Sequence, residues 1–157
     1  MLFSVNNLVV NEWFLHDLFE DNGRHKLGTA SKLLWNLMNK DEFVLCVGRN
    51  TPWTQKLLTF AEDHKQPSYS LFKLFISLLR DSEKCNLVDG VVSEKPEDVD
   101  KECAPKEDYY LIDLSIKVSP CTLVSTDVEL LDCVGNKSTY WNINPMDRDS
   151  FLLRCVS

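Results

Sequence analysis

The sequence predicts one α/β domain over residues 1–157, with a central, mostly parallel sheet flanked by helices. Three observations carry that expectation. Short continuous apolar runs such as LVV, FVLCVG and TLVS alternate with segments of helical periodicity, the pattern of βαβ units. With 157 residues, 44% of them hydrophobic, the chain holds enough for one sizeable core and too little for two. No apolar run approaches the roughly 20 residues of a membrane-spanning helix, so the runs read as strands and core helices.

Taken in order, Leu8 to Val10 is a short strand, and Glu12 to Glu20 turns to helical spacing with Phe14, Leu15 and Leu18 on one side. After Gly23 a second helix is marked by Leu27, Ala30, Leu33, Leu34, Leu37 and Met38, three and four residues apart. Phe43 to Val47 is short, apolar and closed by Gly48, which fits a buried strand. Thr51 and Pro52 then look like the cap and first residue of a helix running towards His64. Past Pro67, residues Leu71, Leu74, Phe75 and Leu78 occupy one face and Phe72, Ile76 and Leu79 the next, so this helix is expected to be buried on two sides. A strand lies within Asn86 to Val92.

Ser93 to Pro105 is acidic, bracketed by prolines and without periodicity, and reads as an exposed loop. Pro105 opens a helix with its body over Asp108 to Val118; Pro120 leads into a strand at Thr122 to Ser125 and a short helix at Val128 to Leu131. Thr139 to Ile143 or Phe151 to Cys155 offers the last strand. The N-terminus lacks a basic leader with an apolar core and cleavage site, so a cytoplasmic protein with no membrane partner is expected.

The six cysteines lie mostly in hydrophobic runs, show no Cys-x-x-Cys spacing, and have no histidine beside them. They read as buried free thiols rather than as a zinc site. The formal charge of -7 argues against a broad electrostatic grip on nucleic acid, although carboxylates that hold divalent cations invert the field a phosphate meets. Arg49, Lys56 and Lys65 are scattered cations near the second strand, and Trp13, Trp35, Trp53 and Trp141 are read as packing residues before base-stacking ones.

Ligands of open α/β sheets bind beyond the carboxyl ends of the strands, which singles out three places. Asn11 and Glu12 follow the first strand in LVVNEWFL. Glu107 and Asp108 occupy the first turn of the helix in KEDYYLIDL, and Asp127 follows Thr126 in TLVSTDVELL. Each has an ordinary use as a helix cap or a charge on a helix dipole.

Together they are more specific. A strand ending in an acid, then much later an acid-initiated helix leading through a short turn to a strand ending in Thr-Asp, resembles the PIN domain family of metal-dependent ribonucleases. The resemblance runs over roughly Leu8 to Leu131 and is densest in its C-terminal half, where Ser115 stands at the family's usual small residue. It implies a three-layer fold, and Asp108 and Asp127 as catalytic metal ligands for Mg²⁺ or Mn²⁺ acting on an RNA phosphodiester. It also implies a toxin-like or regulatory setting with an RNA, a protein partner or a second copy of the chain. Oxygen ligands suit such hard cations.

Where the family has further acids, this chain has amides at Asn11 and Gln55. Glu12 and Glu107 are the compensating acids within reach, although strand alternation turns Glu12 away unless a helix has already begun there. Three functions stay open at this point. They are an endoribonuclease with a weakened or lost site, a non-catalytic RNA- or protein-binding module on the same scaffold, and a receiver-like regulatory domain with an acidic pocket.

Overall fold

The computed structural model describes residues 6–19, 22–63, 69–97, 99 and 103–156. Glu20, His64, Lys65 and Pro67, on which parts of the expectations above fall, lie outside them. Five strands form one sheet: β1 (Asn6–Val10), β2 (Phe43–Gly48), β3 (Cys85–Val88), β4 (Cys121–Ser125) and β5 (Ile143–Asp147). Their order is β3-β2-β1-β4-β5 and every pairing is parallel. In the centre Leu8, Val9 and Val10 of β1 and Leu123 and Val124 of β4 are all buried, so both faces of the sheet are covered. That is why these strands read as continuous apolar runs rather than as alternating ones.

The helices are α1 (Trp13–Leu18), α2 (Arg24–Asn39), α3 (Pro52–Asp63), α4 (Tyr69–Arg80), α5 (Tyr109–Lys117), α6 (Val128–Asn136), α7 (Ser138–Trp141) and α8 (Arg148–Val156). Right-handed crossovers put α1 to α4 on one face, because β1, β2 and β3 step outward in one direction. The chain then recrosses to β4 on the far side of β1, which carries α5 and α6 to the other face. Helix α5 lies over β1, β2 and β4, and α8 returns to pack on α2. Three layers result. The first face is held by a run of rings, with Phe14 and Trp53 each against Phe75, and Phe19 stacked on Phe60 at 5.1 Å.

Several local expectations need correction. Thr51 does not cap α3; its hydroxyl turns back to the Gly48 carbonyl at 2.8 Å, and it is Thr54 Oγ1 that accepts from the Thr51 N–H. This inward turn requires Gly48, since a Cβ there would lie 2.6 Å from Thr51 Cγ2. Helix α4 is buried on one side through Phe75 and Leu78, and Leu74 is exposed. The last strand is neither candidate: Thr139 is helical, β5 starts at Ile143, and Phe151 to Cys155 belongs to α8, where Phe151 packs on Phe43.

The 93–105 segment is not wholly exposed, because Val99 and Ala104 are buried. Nor are all six thiols free. Cys103 and Cys133 form a disulfide that ties this segment to α6, while Cys46, Cys85, Cys121 and Cys155 are free. Linear spacing could not disclose the pair, since 30 residues separate its members. Among the described residues no helix is long and apolar enough to cross a membrane.

Candidate functional site

Successive strands run to the left of β1 as far as β3 and to the right from β4, so the winding reverses between β1 and β4. The helices leaving the two strands diverge to opposite faces there, and the carboxyl ends at such a reversal are where open α/β sheets place their ligand crevices. This order also differs from the 2-1-3-4-5 order of receiver-like sheets, which removes that reading.

Asn11 extends the β1 ladder, its N–H donating to the Val124 carbonyl at 3.1 Å. Its side chain is engaged at both ends: Nδ2 donates to Ser125 Oγ at 3.1 Å, and Oδ1 accepts from the Glu12 N–H at 2.7 Å. Ser125, fully buried at the end of β4, also accepts from the Asp127 N–H at 3.0 Å. Asn11 is thus a strut joining β1, β4 and the entry to α6. Its carbonyl oxygen serves the backbone rather than the open crevice. The indole of Trp13 closes the same seam, donating to the Val124 carbonyl at 3.0 Å.

Asp127 caps α6, with Oδ1 accepting from the Leu130 N–H at 3.2 Å. Asp108 sits at the junction of a 3-10 turn (Lys106–Asp108) with α5 and is buried. The Asp108 and Asp127 carboxyl groups lie close enough to share a hydrogen bond when one of them is protonated. Burial, then that bond, then the charges of Asp127, Glu107 and Glu12 push the Asp108 pKa up from the ordinary 3.8 to about 7. The magnitude is reasonable: two full charges about 4 Å apart repel by about 4 kcal/mol at an effective dielectric near 20, which alone carries a carboxyl from 3.8 to just below 7.

The Tyr110 hydroxyl completes the inventory. It is buried and makes no hydrogen bond, and burial together with the charges of Glu12 and Asp108 pushes its pKa upward. Like the hydroxyls of Tyr109 and Ser115, it is a buried donor without a partner among the described residues. Nothing in the sequence marked Tyr110. Ser125 carried one weak signal, its position as the last strand residue before Thr-Asp.

Of the residues singled out in the sequence, the structure brings Asp108, Asp127 and Asn11 into one hydrogen-bonded cluster with Ser125, and places Glu12 and Glu107 within electrostatic reach of Asp108. Glu12 comes near because α1 begins directly after it, so strand alternation no longer applies. Gln55 does not join the cluster; it is exposed on α3. Arg49 is also remote, paired at 3.4 Å with exposed Asp89.

Among the described residues no three His, Cys, Asp or Glu side chains stand together as a metal cage. The donors do fit a single Mg²⁺ or Mn²⁺, because such ions are commonly held by one or two carboxylates and otherwise by water, and the unpartnered Tyr110 hydroxyl can accept the role of donor to that shell. They do not fit a pair of ions. Compared with known proteins, the chain matches no family model, no curated protein and no solved structure.

Proposed function

We propose that this chain is a PIN-like domain, related in design to Mg²⁺- or Mn²⁺-dependent endoribonucleases, that engages an RNA phosphate through one divalent cation and has weakened hydrolysis. The observation that supports it is the meeting of Asp108 and Asp127 at the winding reversal, where each carboxyl disfavours the charge of the other and a cation would relieve it. Asp108 and Asp127 would hold the ion, which when bound supplies charge for the phosphate and a more acidic water. Tyr110 would donate to an incoming oxygen, and Ser125 with Asn11 would keep Asp127 in register with β1. Glu12, close to Asp108, is the group available to accept a proton.

The weakening follows from Asn11. An amide already committed at both ends adds no charge to the site, so the second cation of a paired site has no third carboxylate in place. That same observation favours the second reading, a binding module on this scaffold without hydrolysis.

The test is cleavage of a structured RNA with Mn²⁺, comparing the native chain with Asp108→Asn and Asp127→Asn. Slow, Mn²⁺-dependent cleavage that drops at least tenfold in both variants is expected. Cleavage that persists in either variant refutes the assignment. RNA binding that needs Mn²⁺ and both aspartates, with no cleavage, selects the binding module.

A further inference from the structure

We propose that a second site, the cleft between α2 and α8 on the opposite helix layer, binds a small organic phosphate. The cleft has a volume of about 410 Å³ and shares no residue with the acidic crevice. That size suits a compact ligand, since small-molecule sites span about 300–1,000 Å³.

Its chemistry is set by charge segregation. The chain is strongly acidic, yet α2 contains Arg24, Lys26 and Lys32 and no Asp or Glu. His25, Thr29 and Lys32 recur at helical spacing along the side of α2 that lines the cleft, with Lys26 beside them. The acids within the cleft are already satisfied. Asp17, buried at its floor, receives Asn22 Nδ2 at 2.7 Å and pairs with Arg148 Nη1 at 3.6 Å, and Asp149 takes Arg148 Nε at 3.1 Å. Among the described residues Lys26 and Lys32 form no ion pair.

The cleft therefore offers two ammonium groups without carboxylate partners and an imidazole above a floor where one arginine answers two aspartates, so its three cations outnumber its carboxylates by one. A doubly charged phosphomonoester meets both lysines at once, which a monocarboxylate does not. Leu152 and the outward-facing Leu153 make the remaining wall apolar, so the phosphate is expected to carry an apolar group of about the size of one ring.

Phenyl phosphate is the probe, titrated into the full chain in EDTA so that the Asp108 crevice is free of cations, and followed by calorimetry and amide chemical shifts. Saturable binding is expected, with shifts confined to α2 and α8. Affinity should fall at least tenfold in the double variant Lys26→Gln, Lys32→Gln, which changes one half-buried and one exposed position and is expected to keep the fold by circular dichroism. Leu153→Ser should weaken phenyl phosphate and leave inorganic phosphate unchanged. Absence of saturation by about 10 mM, a concentration that would reveal even a millimolar site, overturns the proposal, as does equal affinity in the lysine variant. An RNA oligonucleotide that binds through the same lysines more tightly than phenyl phosphate also overturns it, and makes the cleft part of an RNA path.

Discussion

Asp17 and Asp108 are both buried aspartates, 1% and 8% exposed, on opposite faces of the same sheet, and they differ in their company. Asp17 has an arginine and an asparagine amide as partners, with donors answering its charge. Asp108 has Asp127, Glu107 and Glu12, and keeps a proton instead. The first arrangement joins α1 to α8 and contributes to the fold. The second costs stability whenever the proton leaves, and a fold retains such a cost where a ligand relieves it. Burial alone therefore does not decide how a carboxylate titrates; the sign of its neighbours does.

The largest expected effect breaks the structural pair. Arg148→Met leaves the buried Asp17 without its cation and with only the Asn22 amide as partner, and urea denaturation should show a loss of about 3–5 kcal/mol, whereas replacing both residues by apolar ones should cost much less. At the other site the sign reverses. Asp108→Asn removes a titrating group from the crevice and should stabilise the cation-free chain at pH 8 by about 1–3 kcal/mol, read the same way, while abolishing Mn²⁺ binding.

The pH dependence follows from the same shift. Asp108 binds its proton up to about 7 in the folded chain, against 3.8 ordinarily, so between those values the folded state holds the extra proton. Its contribution to stability is thus lost as pH rises from about 4 to about 7 and is constant above that. Mn²⁺ must displace this proton, so calorimetry should show affinity falling by up to about tenfold per pH unit below 7 and levelling above it. A flat profile across pH 5 to 8 would break the contrast between the two aspartates.

Asn11→Asp sharpens it from the other side. Ser125 can turn its hydroxyl to donate to the new carboxylate, so the strut survives while a charge is added; cation affinity should rise about tenfold and RNA cleavage with it. Smallest is the cap: Asp127→Ala should lose about 1 kcal/mol that Asp127→Asn retains, because asparagine can still accept from the Leu130 N–H.

The comparison also shows how far linear pattern reaches. Asp108 and Asp127 were legible because each sits at a boundary that local chemistry marks, a first helical turn after Pro105 and the residue after an apolar strand. Asp17 was not, since it lies within a helical stretch and its partner is 131 residues away in a segment whose aromatic and aliphatic residues suggest a strand. Phe151 to Cys155 is helical instead because Phe151 and Leu152 are anchored against the sheet and α2, a tertiary preference that overrides local tendency. Gln55 looked like a member of the acidic site by order along the chain, and its side of α3 faces outward.

By itself the amino-acid sequence determined the α/β class, the central strands and the helices between them, because continuous apolar runs and three-to-four spacing are local consequences of what each residue must bury. Only the tertiary structure decided which strand neighbours which, and so where the winding reverses and the crevice opens. It decided that the Asn11 amide is a strut, that Tyr110 has a hydroxyl without a partner, that Cys103 meets Cys133, and that one buried aspartate faces an arginine and the other a second acid. Those outcomes depend on distances between residues far apart along the chain, which no local preference encodes.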